Sequence, residues 1–147
     1  MSGDTLKEIE TRDRFPHFLS IPTRWKDNDI YGHVNNVVYY SYFDTVITRY
    51  LMVESRIDIV RGLVVPFTVE NMCRYRRSLS FPEVVDAGLR VARLGRSSVR
   101  YEIGLFRQGR DDAAAVGYFV DVFVDRATGK SVPIPQEIRN VLERLVV

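Results

Sequence analysis

From Phe67 onward the chain alternates apolar and polar residues with a period of two. Phe67, Val69, Cys73, Tyr75, Leu79 and Phe81 are interleaved with Thr68, Glu70, Met72, Arg74, Arg76 and Ser78, which predicts a long strand with a bulge near Asn71. Three further strands are expected over Val84 to Leu94, Ser97 to Arg107 and Ala113 to Asp125, joined by turns at Gly95-Arg96 and at Gln108 to Asp112. Consecutive strands with short turns form an antiparallel meander. An earlier strand runs from His17 to Trp25, and Pro22 within it favours a sheet edge or bulge, because proline has no N–H to give to a ladder.

Between these lies a stretch of a different period. Val34 to about Glu54 reads as a helix whose polar residues, Ser41, Asp44, Thr45, Thr48 and Arg49, occupy one narrow stripe. A helix lying on a protein surface shows a wider polar face, so this one is expected to be wrapped by other structure on most sides. Pro135 suits the first position of a closing helix, along which Ile138, Val141, Leu142 and Leu145 make one apolar stripe. A buried helix beside a curved antiparallel sheet is an α+β, two-layer arrangement. The 147 residues suffice for one domain, expected over residues 14–147 behind a loose N-terminal tail of residues 1–13.

Composition narrows the classes without selecting one. Hydrophobic residues make up 46% and charged residues 27%, ordinary globular values. The formal charge of +2 is too small to argue for nucleic acid. Local basic clusters, Arg74-Tyr75-Arg76-Arg77 and Arg90 through Arg100, fit either a phosphorylated ligand or a solvated strand face. Cys73 is the sole cysteine, so no internal disulfide forms and a reducing, cytoplasmic setting is expected. No apolar run is long enough to span a membrane, and Met1 to Glu10 has no apolar signal core. The two histidines, His17 and His33, and one distant cysteine make no zinc pattern, and no Gly-rich phosphate loop is present, so neither metal nor cofactor is expected.

Candidate chemistry concentrates in the turn before the long helix, which carries Asp27 and Asp29. Two acidic residues there can simply cap the helix and meet its positive end. They can also do chemistry. The first helical turn presents N–H groups that have no partner within the helix, and these can hold a developing oxyanion. A neighbouring carboxylate can then attack a carbonyl or activate water.

The string Asp27-x-Asp29-x-x-Gly32-His33-Val34-Asn35-Asn36, followed by Tyr39-Tyr40 and Phe43, resembles the acyl-CoA thioesterases related to 4-hydroxybenzoyl-CoA thioesterase, a hot-dog fold family. The His-Val-Asn-Asn run is also similar to that of plant acyl-carrier-protein thioesterases. The resemblance extends to the Leu94-Gly95-Arg96-Ser97-Ser98 turn and to Pro133-Ile134-Pro135. It implies a hot-dog domain hydrolysing an acyl-CoA, with coenzyme A as part of the substrate and not a cofactor. Asp29 would be the nucleophile or general base, and the Asn36 N–H would polarise the thioester carbonyl. His33 would orient or hydrogen-bond, and Asp27 would support. Gly32, Asn35 and Tyr40 would contact substrate, while Arg93, Arg96 and Arg100 around Ser97 and Ser98 would meet the phosphates of coenzyme A. Self-association as a homodimer or homotetramer is expected from the family's subunit-shared sites and from the free sheet edges. Two other readings stay open: an enoyl-thioester hydratase using Asp29 and His33, and a non-catalytic acyl or aromatic ligand-binding protein on the same scaffold.

Overall fold

The computed structural model describes residues 5–147. Its strands are β1 (His17–Pro22), β2 (Val64–Tyr75), β3 (Val84–Leu94), β4 (Ser98–Arg107) and β5 (Ala115–Asp125). The helices are α1 (Asn36–Ser55) and α2 (Gln136–Glu143). The five strands form one antiparallel sheet in the order β1-β3-β4-β5-β2, so β1 and β2 are the two edges. Pro22 ends the edge strand β1, where its missing N–H costs no ladder bond. The bulge of β2 falls between Thr68 and Glu70, slightly before the expected place. That strand stops at Tyr75, and a loop through the cis Phe81–Pro82 peptide leads into β3. The architecture is the hot-dog arrangement, a curved antiparallel sheet around one long helix.

Helix α1 supplies the centre of the core. Tyr39, Tyr42, Phe43, Val46, Ile47, Tyr50 and Leu51 are buried, and Ser41, Asp44, Thr45 and Arg49 of the narrow stripe are exposed. On the sheet's inner face Val99, Tyr101, Ile103 and Leu105 of β4 alternate towards this helix. Helix α2 closes one end with Ile138, Val141 and Leu142, and the Tyr50 hydroxyl donates to the Val141 carbonyl at 2.6 Å.

The outer face of the sheet departs from the sequence expectation. Residues 5–13, expected as a loose tail, fold into short 3₁₀ turns that lay Leu6 and Ile9 on this face, both buried. They join Phe15, Phe106, Ala113 and Val116 in a second apolar cluster. The fit depends on two glycines. Gly88 and Gly104 are directly paired across β3 and β4, and a Cβ at either would lie 2.7–2.8 Å from the Phe15 ring. The pair leaves a slot that the ring fills. The part of the tail over residues 1–4 lies outside the described residues.

The basic run Arg90 to Arg100 is likewise no uniformly solvated face. Arg90 is buried against Glu102 at 2.8 Å, and the Arg100 guanidinium lies 3.9 Å from the centre of the Tyr118 ring. Glu102 is fully buried and also receives Arg100 and the Thr5 hydroxyl. Burying a carboxylate without such partners would cost several kcal/mol. Among the described residues no helix is long and apolar enough to cross a membrane.

Candidate active site

The turn before α1 is fastened from three directions. Asp27 is buried and accepts hydrogen bonds from the Arg24 backbone (2.9 Å), the Arg24 guanidinium (3.1 Å) and the Tyr42 hydroxyl of α1 (2.8 Å). Burial on its own would raise the carboxyl pKa, but these donors outweigh it and hold the group below the usual carboxylate range. The Asp27 carbonyl also accepts the Asn35 N–H at 2.8 Å. From the β2–β3 loop, Leu79 accepts the Val34 N–H, Phe81 donates to the Asn28 side chain, and Ser80 donates to the Gly32 carbonyl. Asp27 is therefore the anchor of the turn, with its carboxylate committed to structure and not free to act as a base.

Removing the Tyr42 hydroxyl tests that role. Tyr42→Phe should cost about 1.5–3 kcal/mol, the usual worth of a hydrogen bond to a charged group. The sign with pH follows from the lowered Asp27 pKa. The stabilisation is present above the carboxyl's unfolded-state pKa and fades as pH falls through the lower folded-state value. Denaturant melts of both proteins should therefore converge in strong acid, and a gap that widened there would contradict the anchor.

Asp29 is held differently. Its backbone N–H donates to the His33 carbonyl, and its carbonyl accepts the Gly32 N–H, which closes a tight turn. Gly32 has φ +82°, a left-handed conformation that glycine adopts without the strain a side chain would bring. This conformation, and not a close approach to the backbone, is what the turn requires of it, since a Cβ there would meet nothing within 4 Å. One Asp29 carboxylate oxygen accepts the Tyr31 N–H at 2.8 Å. The side chain is half-exposed.

Asn35 caps α1, its side chain accepting the Val37 N–H at 3.0 Å. Asn36 is the first helical residue, so its N–H has no carbonyl partner within the helix. Asp29, His33 and Asn36 share the wall of one open cleft of about 400 Å³. The rest of its lining comes from Val34, Tyr39, Tyr75, Arg76, Arg77 and Ser78. Tyr75 donates to the Asn36 carbonyl at 3.0 Å and packs edge-on against Tyr39, with ring centroids 4.9 Å apart.

Of the expected contacts, Asp29, His33 and Asn36 are thus brought together. Tyr40 is not among them. Its ring turns towards Phe43 and Phe119, and Tyr39, one position earlier on the helix, faces the cleft instead. Arg93, Arg96, Ser97 and Ser98 surround the β3–β4 turn, at the end of β3 remote from Asp29. The length of that strand separates them by roughly 30 Å within one subunit. Arg100 is engaged by Glu102 and Tyr118 on the outer face. Sequence reasoning did not assign Tyr75, Arg76 or Arg77 to the site. Their signal was the basic run after the strand, but only the sheet order shows that it ends beside the helix start.

Cys73 lies beside this region without the character of a nucleophile. Burial pushes its thiol up to about 11. Among the described residues no group of three or more His, Cys, Asp or Glu side chains is placed to hold a metal ion.

Comparisons with known proteins agree with this fold. A family model described as the thioesterase-like superfamily matches residues 23–142. The crystal structure of the PA5185 protein from Pseudomonas aeruginosa is 49% identical over 93% of this chain and 96% of its own, with a TM-score of 0.91. The PA2801 protein of the same organism is 30% identical over 87% of this chain and 98% of its own, with a TM-score of 0.80. A Thermus thermophilus thioesterase, crystallised with coenzyme A and Zn, is 32% identical over the same two shares, with a TM-score of 0.73. No curated protein matches. With the hot-dog architecture and the acidic turn at the helix start, the match over residues 23–142 places this chain in the thioesterase-like superfamily.

Proposed function

We propose that the protein hydrolyses an acyl-CoA thioester to the free acid and coenzyme A. The observation that carries this reading is the shared cleft of Asp29, His33 and Asn36 at the start of α1. Asp29 attacks the thioester carbonyl or takes a proton from the water that does. The charge that develops on the carbonyl oxygen is held by the Asn36 N–H, which is free of intrahelical bonding and lies at the positive end of a 20-residue helix. Collapse of the tetrahedral intermediate breaks the C–S bond, and the departing thiolate takes up a proton. When water is the attacker this gives the free acid directly; when Asp29 attacks, it leaves an acyl–aspartyl anhydride, which a water molecule then hydrolyses to the acid and the regenerated carboxylate. His33, exposed at the cleft rim, orients the acid or the water. Coenzyme A as the carrier is supported by the Thermus relative, whose structure contains it.

An absorbance assay for thiol release over a panel of aliphatic and aromatic acyl-CoAs tests the reaction. Release on at least one substrate, abolished in Asp29→Ala, is expected. Equal, negligible rates for both proteins on every substrate would refute it. After a single turnover in heavy-oxygen water, label in the Asp29 carboxyl identifies it as the nucleophile, its anhydride having been opened by water at the aspartyl carbonyl; label in the product acid alone is common to a general base and to an anhydride opened at the acyl carbon.

The working unit is a homodimer or a larger homo-oligomer. The reading rests on the free edge of β2, twelve residues long, with Phe67 and Val69 exposed beside its open backbone. Unprotected edges of this kind pair with another strand. The adjacent groove along α1, lined by Thr48, Met52 and Val53 among others, extends the apolar surface. Sedimentation should give at least a dimer, and Phe67→Arg should shift it towards the monomer. A wild-type chain that is monomeric at all concentrations and fully active would exclude the shared assembly. The lone cysteine suits a reducing, cytoplasmic setting.

A further inference from the structure

The candidate cleft does not end at Arg76 and Arg77. These two residues and Ser78 also line a second cleft of about 400 Å³, which continues along the same end of the sheet to Arg107 and Arg110. Four guanidinium groups thus converge on it, against one carboxylate on its walls, Asp112. Asp112 receives Arg110 at 3.1 Å and a second, shorter contact from Arg77. Arg110 first, and then Arg77, hold its carboxyl at about 2. From the rim, Glu10 reaches Arg76 at 2.6 Å and Glu83 reaches Arg107 at 2.9 Å.

These ion pairs are exposed, and pairs of that kind contribute little to stability. They can be exchanged for a better anion at small cost. Phosphate is such an anion, because the guanidinium fork matches two of its oxygens at once.

We propose that this arginine cleft takes the phosphate-bearing nucleotide end of coenzyme A while the thioester lies beside Asp29. The proposal rests on the thioesterase reading above and adds the direction in which the carrier leaves the reacting carbon. Continuity through Arg76, Arg77 and Ser78 supports it. Arg107 and Arg110 touch nothing at the reacting end, so they serve recognition and not chemistry.

Calorimetric titration of the full chain with coenzyme A, dephospho-coenzyme A and pantetheine tests this without requiring turnover. Coenzyme A should bind more tightly than pantetheine, and the advantage should shrink as salt is raised. The double variant Arg107→Ala/Arg110→Ala should weaken coenzyme A about tenfold, with the loss confined to phosphate-bearing ligands. Asp112→Asn removes the competing carboxylate and should strengthen binding, a gain that damage to the fold does not produce. Equal affinity for coenzyme A and pantetheine would overturn the proposal. So would coenzyme A binding indifferent to both variants, or a loss that follows Arg93→Ala/Arg96→Ala instead. If binding depends on Arg107 and Arg110 but no thioester is cleaved, the hydrolase reading fails and the nucleotide site stands. If thioester is cleaved but binding ignores these arginines, the hydrolase reading stands and the nucleotide site fails.

Discussion

Asp29→Asn is expected to lower kcat for thioester hydrolysis by about 10²–10⁴-fold, the usual contribution of a positioned acid–base group. The substitution isolates chemistry from structure. An amide oxygen can still accept the Tyr31 N–H that the carboxylate accepts now, so the turn keeps its shape. The backbone bonds of Asp29 to His33 and Gly32 do not involve the side chain. Melting temperature should hardly move, and KM should change far less than kcat. Asp27→Asn should do the reverse. It weakens a buried anchor held by Arg24 and Tyr42, so its first effect is on stability. Steady-state kinetics and thermal melts on the two variants read both contrasts. Full activity in Asp29→Asn would remove this residue from the mechanism.

Phe43→Ala should cost about 3–5 kcal/mol in denaturant unfolding, the range for truncating a buried aromatic ring. Phe43 is wholly buried on α1 and meets Tyr40 and Phe119 edge-on, with centroids 6.1 and 6.2 Å away. Its seat is made by Gly117, where a Cβ would lie 2.4 Å from the ring and 2.3 Å from the Met72 carbonyl oxygen. The Met72 backbone is fixed by the β2–β5 ladder and cannot yield. The sheet therefore cannot close over a smaller side chain, and a cavity remains. A loss below about 1 kcal/mol would mean that the core repacks around the gap.

The strands and helices were legible in the sequence because each carries a period that only one environment satisfies. The narrow polar stripe of α1 told of a wrapped helix, and Ser41, Asp44, Thr45 and Arg49 are exposed, but so are the apolar Val37, Met52 and Val53, so the wrap within one subunit is incomplete. The turn before α1 was legible through Asp27, Asp29 and Gly32, whose types suit a turn whatever its use. That Asp27 would support and Asp29 act came only from the resemblance; the burial of Asp27 and its Tyr42 partner belong to tertiary structure and left no mark in the sequence. Tyr39 and Tyr40 could not be told apart by type, since both rings are large and amphipathic and one helical step separates cleft from core. The arginine cleft was hidden for another reason. Arg76 and Arg77 are far along the chain from Arg107 and Arg110, and only the strand order draws them to one end of the sheet. The N-terminal arm was misread because its apolar residues are few, and its docking slot is made of glycines, which give no hydrophobic signal.

That slot bears on how copies of the chain can assemble. A curved sheet has two natural ways to meet another, edge against edge or back against back. Here the back is partly occupied from within, by Leu6, Ile9 and Phe15, with Phe15 seated between Gly88 and Gly104. A second copy approaching that face would have to displace a segment of the chain that is already in place. The arm acts as a built-in occupant that leaves the two sheet edges, β1 and β2, as the unobstructed directions, and shortening it should change which assemblies can form before it changes the fold of the sheet.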